Sequence, residues 1–186
     1  MYISIPENGY SEYSEGLAIK FIKNDNTKWI ANFEIGITSL KFATKLKNSE
    51  DILIIACGNC YIINPEEIKP KAKFGHDYKK VFEYKNKFIL IGEYSITIIE
   101  NTDKIEHFDD LCYDGISNVT LETENLVGVL NDYNSLTDGY DKSDFVLNLE
   151  TQKISKTETI KIQNEVKNER KVEIKKDGNE KWWKLW

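Results

Sequence analysis

Three times along this chain an apolar run is followed by a polar turn, a second apolar run and a polar stretch that closes on Ile. The first copy is Ile52-Leu53-Ile54-Ile55-Ala56-Cys57, Gly58-Asn59, then Cys60-Tyr61-Ile62-Ile63 and on to Ile68. The second is Phe88-Ile89-Leu90-Ile91, Gly92-Glu93-Tyr94-Ser95, then Ile96-Thr97-Ile98-Ile99 and on to Ile105. The third is Leu126-Val127-Gly128-Val129-Leu130, a long polar loop, then Phe145-Val146-Leu147-Asn148-Leu149 and on to Ile154. Ile52 to Phe88 is 36 residues and Phe88 to Leu126 is 38. A fixed period of this size marks a repeated supersecondary unit, which constrains the fold more than any local propensity does.

The apolar segments are short, rich in Ile, Val, Tyr and Phe, and bounded by Gly, Asn and Asp, which is the pattern of strands. Residues 17–22 and 28–33, joined by Lys23-Asn24-Asp25-Asn26, predict an opening hairpin. Each later repeat has an alternating leading segment, Ile37–Ala43, Tyr78–Tyr84 and Ile116–Leu121, and room for a fourth strand after Ile68, Ile105 and Ile154. No segment has a clean helical period; the best candidate, Thr157–Lys171, fits neither period. Lys171-Val172-Glu173-Ile174-Lys175, followed by Asp177-Gly178, predicts a last hairpin that returns through Lys181–Trp186.

Units such as DILIIACGNCYIINPEEI and KFILIGEYSITIIENTDKI resemble the blades of β-propeller proteins, over residues 29–154. The resemblance implies an all-β, antiparallel fold of propeller-like repeats with three to four strands each. The Trp-Asp and Gly-His signatures of the commonest propeller repeats are not at matching places, and Gly75-His76 lies in a connection without a sibling. A closed ring of six or seven blades, at roughly 40–45 residues each, would need a longer chain. Four blades, an incomplete ring, and a β-sandwich or stacked meander all stay open. Residues 1–154 are expected to form one repeat-built domain. Residues 155–186 are expected to form an extension whose terminal hairpin docks on the body, as caps do in repeat arrays.

Charge narrows the function classes. The chain carries 24 Lys and a single Arg, Arg170, so bidentate reading of guanine edges or phosphates is essentially excluded. Residues 100–150 hold 13 Asp and Glu against 2 Lys, a net of −11, while 151–186 carry a net of +4. An acidic middle repels nucleic acid and attracts a basic partner. No stretch has the length of apolar sequence that spans a bilayer, and residues 1–7 show no basic-then-apolar leader. Three cysteines do not suggest a disulfide framework, so a reducing cytosol is the expected compartment.

No catalytic constellation stands out. Cys57-Gly58-Asn59-Cys60 is a CxxC that, with His107 and Cys112, could in principle ligate zinc. The sibling turn Gly92–Ser95 has no Cys, however, and a redox CxxC belongs at a helix N-terminus. The expectation is buried strand cysteines, with no metal and no cofactor. His107 beside Phe108-Asp109-Asp110 could form an acid–base pair, but no nucleophile is evident. Residues 131–144 replace a short turn in the sibling units, and two Tyr with four Asp there suit recognition. Calcium is not expected, because Leu136 falls where a calcium loop needs a ligand.

Two function classes follow. The favoured one is a non-catalytic cytosolic module that binds a basic protein, in its most specific form an immunity-type protein neutralising a basic toxin enzyme. Its expected partner-binding residues are Asp109, Asp110, Asp114, Asp132, Tyr133, Asp138, Tyr140, Asp141 and Asp144. The alternative is a small-ligand-binding or hydrolytic propeller-like enzyme with a polar funnel around His107. Neither reading involves nucleic acid or a membrane.

Overall fold

A computed structural model describes residues 1–6 and 15–157, and these residues form fifteen strands and no helix. The first sheet holds β1 (Tyr2–Ile5), β2 (Leu17–Ile22) and β3 (Lys28–Phe33), in the order β1-β3-β2. The second runs through β4 (Lys41–Lys45), β5 (Ile52–Ala56), β6 (Asn59–Ile63) and β7 (Ala72–Phe74). The third runs through β8 (Lys80–Tyr84), β9 (Lys87–Ile91), β10 (Ile96–Asn101) and β11 (Lys104–Phe108). The fourth runs through β12 (Ile116–Glu122), β13 (Asn125–Asn134), β14 (Gly139–Asn148) and β15 (Lys153–Lys156). All pairings are antiparallel except β1 with β3. The fold is thus all-β, with the predicted repeat as its unit.

The sheets stack face to face in chain order, and side-chain parity decides which layer each residue joins. In β5, Leu53 and Ile55 point to the third sheet while Ile54 and Ala56 point to the first. In β9, Phe88 and Leu90 face the second sheet while Ile89 and Ile91 face the fourth. Successive side chains of a strand leave opposite faces, so a strand covered on both faces must be apolar throughout. That is why Ile52–Ala56 and Phe88–Ile91 are unbroken runs. Each fully covered Ile or Leu contributes roughly 1.5–3 kcal/mol of transfer free energy.

The first and fourth sheets are covered on one face only by this stack. Trp29, Ala31 and Phe33 of β3 face inward, as do Leu126, Leu130, Phe145 and Leu147 of β13 and β14. Among the described residues the buried apolar clusters join neighbouring sheets, and none joins the first to the fourth.

Polar staples repeat with the sheets. At one end, a hairpin turn of each of the first three sheets meets the connection between the last two strands of the next sheet. Asn24 N–H donates to Glu66 Oε1 at 2.7 Å, Thr102 Oγ1 to Asp51 Oδ2 at 2.6 Å, and Tyr84 O–H to Glu150 Oε1 at 2.5 Å. The opposite end holds the β5–β6 turn, with Cys57 at φ 50° and Gly58 at φ 102°. It also holds the sheet-to-sheet connections: Gly36 N–H donates to Ala56 O, Ile37 N–H to His76 O, and Ile116 N–H to Glu93 O.

Several sequence expectations are corrected. The leading strand expected over Ile37–Ala43 begins only at Lys41, because 34–40 is spent bonding across the β5–β6 turn, which leaves Ile37 exposed. Tyr78 precedes β8 and is buried, with its hydroxyl 2.6 Å from Thr97 Oγ1. Ile105 and Ile154 lie inside fourth strands instead of ahead of them. The polar loop over 131–144 is not a loop but the paired extension of β13 and β14. The expected terminal hairpin, its docking on the body, and the segment 158–171 lie outside the described residues.

Candidate functional site

β13 and β14 are ten residues each, twice the length of β5 and β6. The ladder runs unbroken from Asn125 opposite Asn148 to Asn134 opposite Gly139. β12 pairs with β13 only up to Leu130, and β15 pairs with β14 only up to Phe145. Beyond those points the two strands continue as a ribbon over 131–144, closed by a turn at Ser135–Asp138 with Asp138 at φ 48°. At about 3.3 Å per residue the ribbon projects roughly 15 Å from the end that carries the sheet-to-sheet connections.

Register sorts the expected partner-binding residues onto two faces. Tyr133 and Tyr140 are opposite each other, with ring centroids 5.8 Å apart in an edge-on arrangement. They share a face with Lys142 and Asp144, and Tyr133 O–H donates to Asp138 Oδ1 at 2.8 Å. Asp138, accepting that bond, holds the Tyr133 phenol above its ordinary pKa range. The other face carries Asp132 directly opposite Asp141. Like charges so placed repel, and neighbouring donors offset part of the cost. Tyr113 N–H donates to Asp132 Oδ1 at 2.6 Å, and Asn134 Nδ2 donates to Asp141 Oδ2 at 2.9 Å.

Asp114 is tied to the ribbon base, since its carboxylate accepts from Tyr133 N–H and its own N–H donates to Asn131 O. Asp114 and Asp132 therefore brace the ribbon as well as charging it. Asp109 and Asp110 lie on the same connection as Asp114, exposed, with Asp110 at φ 52°. Sequence reading missed the aromatic part of this end. Tyr113 is 88% exposed and Tyr94 45% exposed, and Tyr94 O accepts from Leu111 N–H. Four exposed tyrosines, Tyr94, Tyr113, Tyr133 and Tyr140, thus belong to one hydrogen-bonded end together with Leu136 at the ribbon tip. The missed signal was positional: Tyr94 occupies the turn of the second repeat that corresponds to the ribbon of the third.

No protein-family model matches the chain, and no curated protein matches it.

Of the remaining chemical candidates, the cysteines occupy packed positions. Cys57, Cys60 and Cys112 are all buried and unpaired. Burial pushes the Cys60 and Cys112 thiols up in pKa, away from reactive thiolate. Cys60 sits in the layer between the second and third sheets and Cys112 in the layer between the third and fourth. The conceivable zinc set is therefore not assembled, and among the described residues no three metal-ligating side chains converge. His107 lies exposed on β11, opposite Thr97 of β10. Its Nδ1 is 2.9 Å from Thr97 Oγ1, and its ring meets Phe74 edge-on at 5.1 Å. Thr97 is buried and also contacts the Tyr78 hydroxyl, so the three residues form one polar chain that runs from the exposed His107 ring into the layer between the second and third sheets. His107→Ala is expected to lower the unfolding free energy by about 1 kcal/mol, the usual net worth of one such bond. Urea unfolding measures it, and an unchanged midpoint would show that the chain carries no stability.

Proposed function

We propose that this chain is a non-catalytic protein-binding module that takes a basic protein on the β13–β14 ribbon. In its most specific form it is an immunity-type protein that neutralises a basic toxin enzyme in a reducing cytosol. The observation that carries this reading is the ribbon itself, where a turn of the sibling units has grown into a projecting, rigidly paired hairpin of four aspartates and two tyrosines. Tyrosine contributes contact area at low entropy cost, and the surrounding charge of −11 over residues 100–150 speeds encounter with a cationic surface. Three unpaired, buried thiols are in keeping with the compartment.

The test is co-expression of the full chain with the protein encoded next to it in the genome, followed by titration at two salt concentrations. Binding is expected to weaken steeply with salt. Asp138→Lys, Asp141→Lys and Asp144→Lys together are expected to cost at least about tenfold in affinity, mostly through a slower association rate. Salt-insensitive binding, or unaltered affinity in the triple variant, would sink the reading.

A further inference from the structure

The two ends of the sheet stack differ by more than the ribbon. Beside it, the end with the sheet-to-sheet connections exposes Ile35 and Ile37 between β3 and β4, Tyr94 on the β9–β10 turn, and Tyr113 ahead of β12. Ile37 is 77% exposed. Among the described residues, the turns and connections of the opposite end expose one large apolar side chain, Ile68. Ion pairs divide the other way. Lys47 with Glu83, Lys71 with Asp51 and Lys85 with Glu150 neutralise the opposite end. No ion pair among the described residues falls on Asp109, Asp110, Asp114 or the aspartates of the ribbon.

These exposed side chains stand on backbone that is bonded from sheet to sheet. Ile37 N–H donates to His76 O, Glu93 N–H to Asp77 Oδ2 at 2.8 Å, Leu111 N–H to Tyr94 O, and Tyr113 N–H to Asp132 Oδ1 at 2.6 Å. Little backbone is left to order on binding, which lowers the cost of a contact here. We infer that the partner taken by the ribbon seats across this whole end and has an amphipathic surface. Its cations meet the aspartates on the fourth-sheet side, an apolar patch covers Ile37, and Tyr94 and Tyr113 lie between. The inference rests on the ribbon reading above and adds to it the apolar half of the contact. Size supports it. A stable interface takes about 20–30 residues a side, and the ribbon, 131–144, has 14. Sheets pack about 10 Å apart, so Ile37 lies roughly 20 Å from the ribbon base, within the span of such an interface. Tyrosines near the centre of an interface carry much of its energy, and Tyr94 and Tyr113 hold that place. The other exposed apolar set, Tyr2, Ile22 and Ile30 on the open face of the first sheet, stands in register with Lys20 and Lys28 and repels a cationic surface.

Two synthetic peptides of equal charge test it, titrated into the isotope-labelled full chain while backbone amide shifts are followed. One alternates Lys with Leu over about 11 residues, roughly 36 Å when extended; the other alternates Lys with Ser. Both are expected to move amides of residues 131–144, and only the Lys–Leu peptide to move those of Ile37 and Tyr94 as well. Ile37→Ser keeps the charge and alters an exposed position. It is expected to weaken the Lys–Leu peptide at least about fivefold, through the apolar area no longer buried, and to leave the Lys–Ser peptide unchanged. Asp138→Lys with Asp141→Lys and Asp144→Lys is expected to weaken both. Equal affinity of the Lys–Leu peptide for the parent and Ile37→Ser would overturn the inference and leave the ribbon reading standing. So would Lys–Leu shifts confined to the ribbon, or shifts at Tyr2 and Ile30 in place of Ile37. If neither peptide moves the ribbon amides, or charge reversal changes neither affinity, the ribbon reading fails and this inference with it.

Discussion

Phe145→Ala is expected to lower the unfolding free energy by about 3–5 kcal/mol, the range for removing a buried phenyl ring from a packed core. Phe145 is 1% exposed and lies in the layer between the third and fourth sheets. Its ring has room because the residue directly opposite it is Gly128. A Cβ there would lie 2.7 Å from Phe145 Cε1 and 3.0 Å from Cζ. Gly128→Ala is therefore expected to cost about 1–3 kcal/mol by overpacking. The two positions share one volume, so their effects should not add. With Phe145→Leu in place, Gly128→Ala should cost at least about 1 kcal/mol less than in the parent. Urea unfolding followed by two probes measures all four species. Additive energies would mean that Gly128 is set by the backbone alone and not by the ring.

The distinction between covered and open sheets can be read in the residues themselves. Ile52–Cys57 and Cys60–Ile63 are unbroken apolar runs because β5 and β6 have a sheet on each side. Lys28–Phe33 alternates more because the stack covers only one face of β3. The repeat period, the strand pairs and the turns at Gly58 and Gly92 follow from that pattern. The ribbon does not. Neither of its faces packs on a core, so 131–134 and 139–144 lack the apolar alternation that betrays a strand. The alternation is still present, written in other residues: Tyr133 with Tyr140 on one face and Asp132 with Asp141 on the other. The surroundings of His107 were not legible for a different reason. Its hydrogen-bond partner Thr97 stands opposite it on β10, and the ring it meets, Phe74, comes from the second sheet, 33 positions away. The charge of the candidate site was legible from composition, and its rigidity was not.

Asp51 offers the sharpest link between one side chain and the stacking of sheets. It is 4% exposed, sits in the β4–β5 turn of the second sheet, and accepts from Thr102 of the third. Its second oxygen has the Lys71 ammonium at 2.9 Å. Burial alone would raise the carboxyl pKa, but Lys71, Thr102 and Ser49 outweigh it and hold the group below its ordinary value of 3.8. Because the folded pKa lies below the unfolded one, the stabilisation is fully present above about pH 4 and is lost as pH falls through the folded pKa. Asp51→Ala is expected to cost about 2–3 kcal/mol at neutral pH, since it removes charge-assisted bonds across a sheet interface and Lys71 can still reach water. Other carboxylates titrate in the same window, so the informative quantity is the difference between the two chains. That difference should shrink steadily below pH 4. A difference that stays constant from pH 7 to pH 2 would mean that Asp51 contributes shape and not charge. The repeated staples would then be a consequence of the stacking instead of one of its causes.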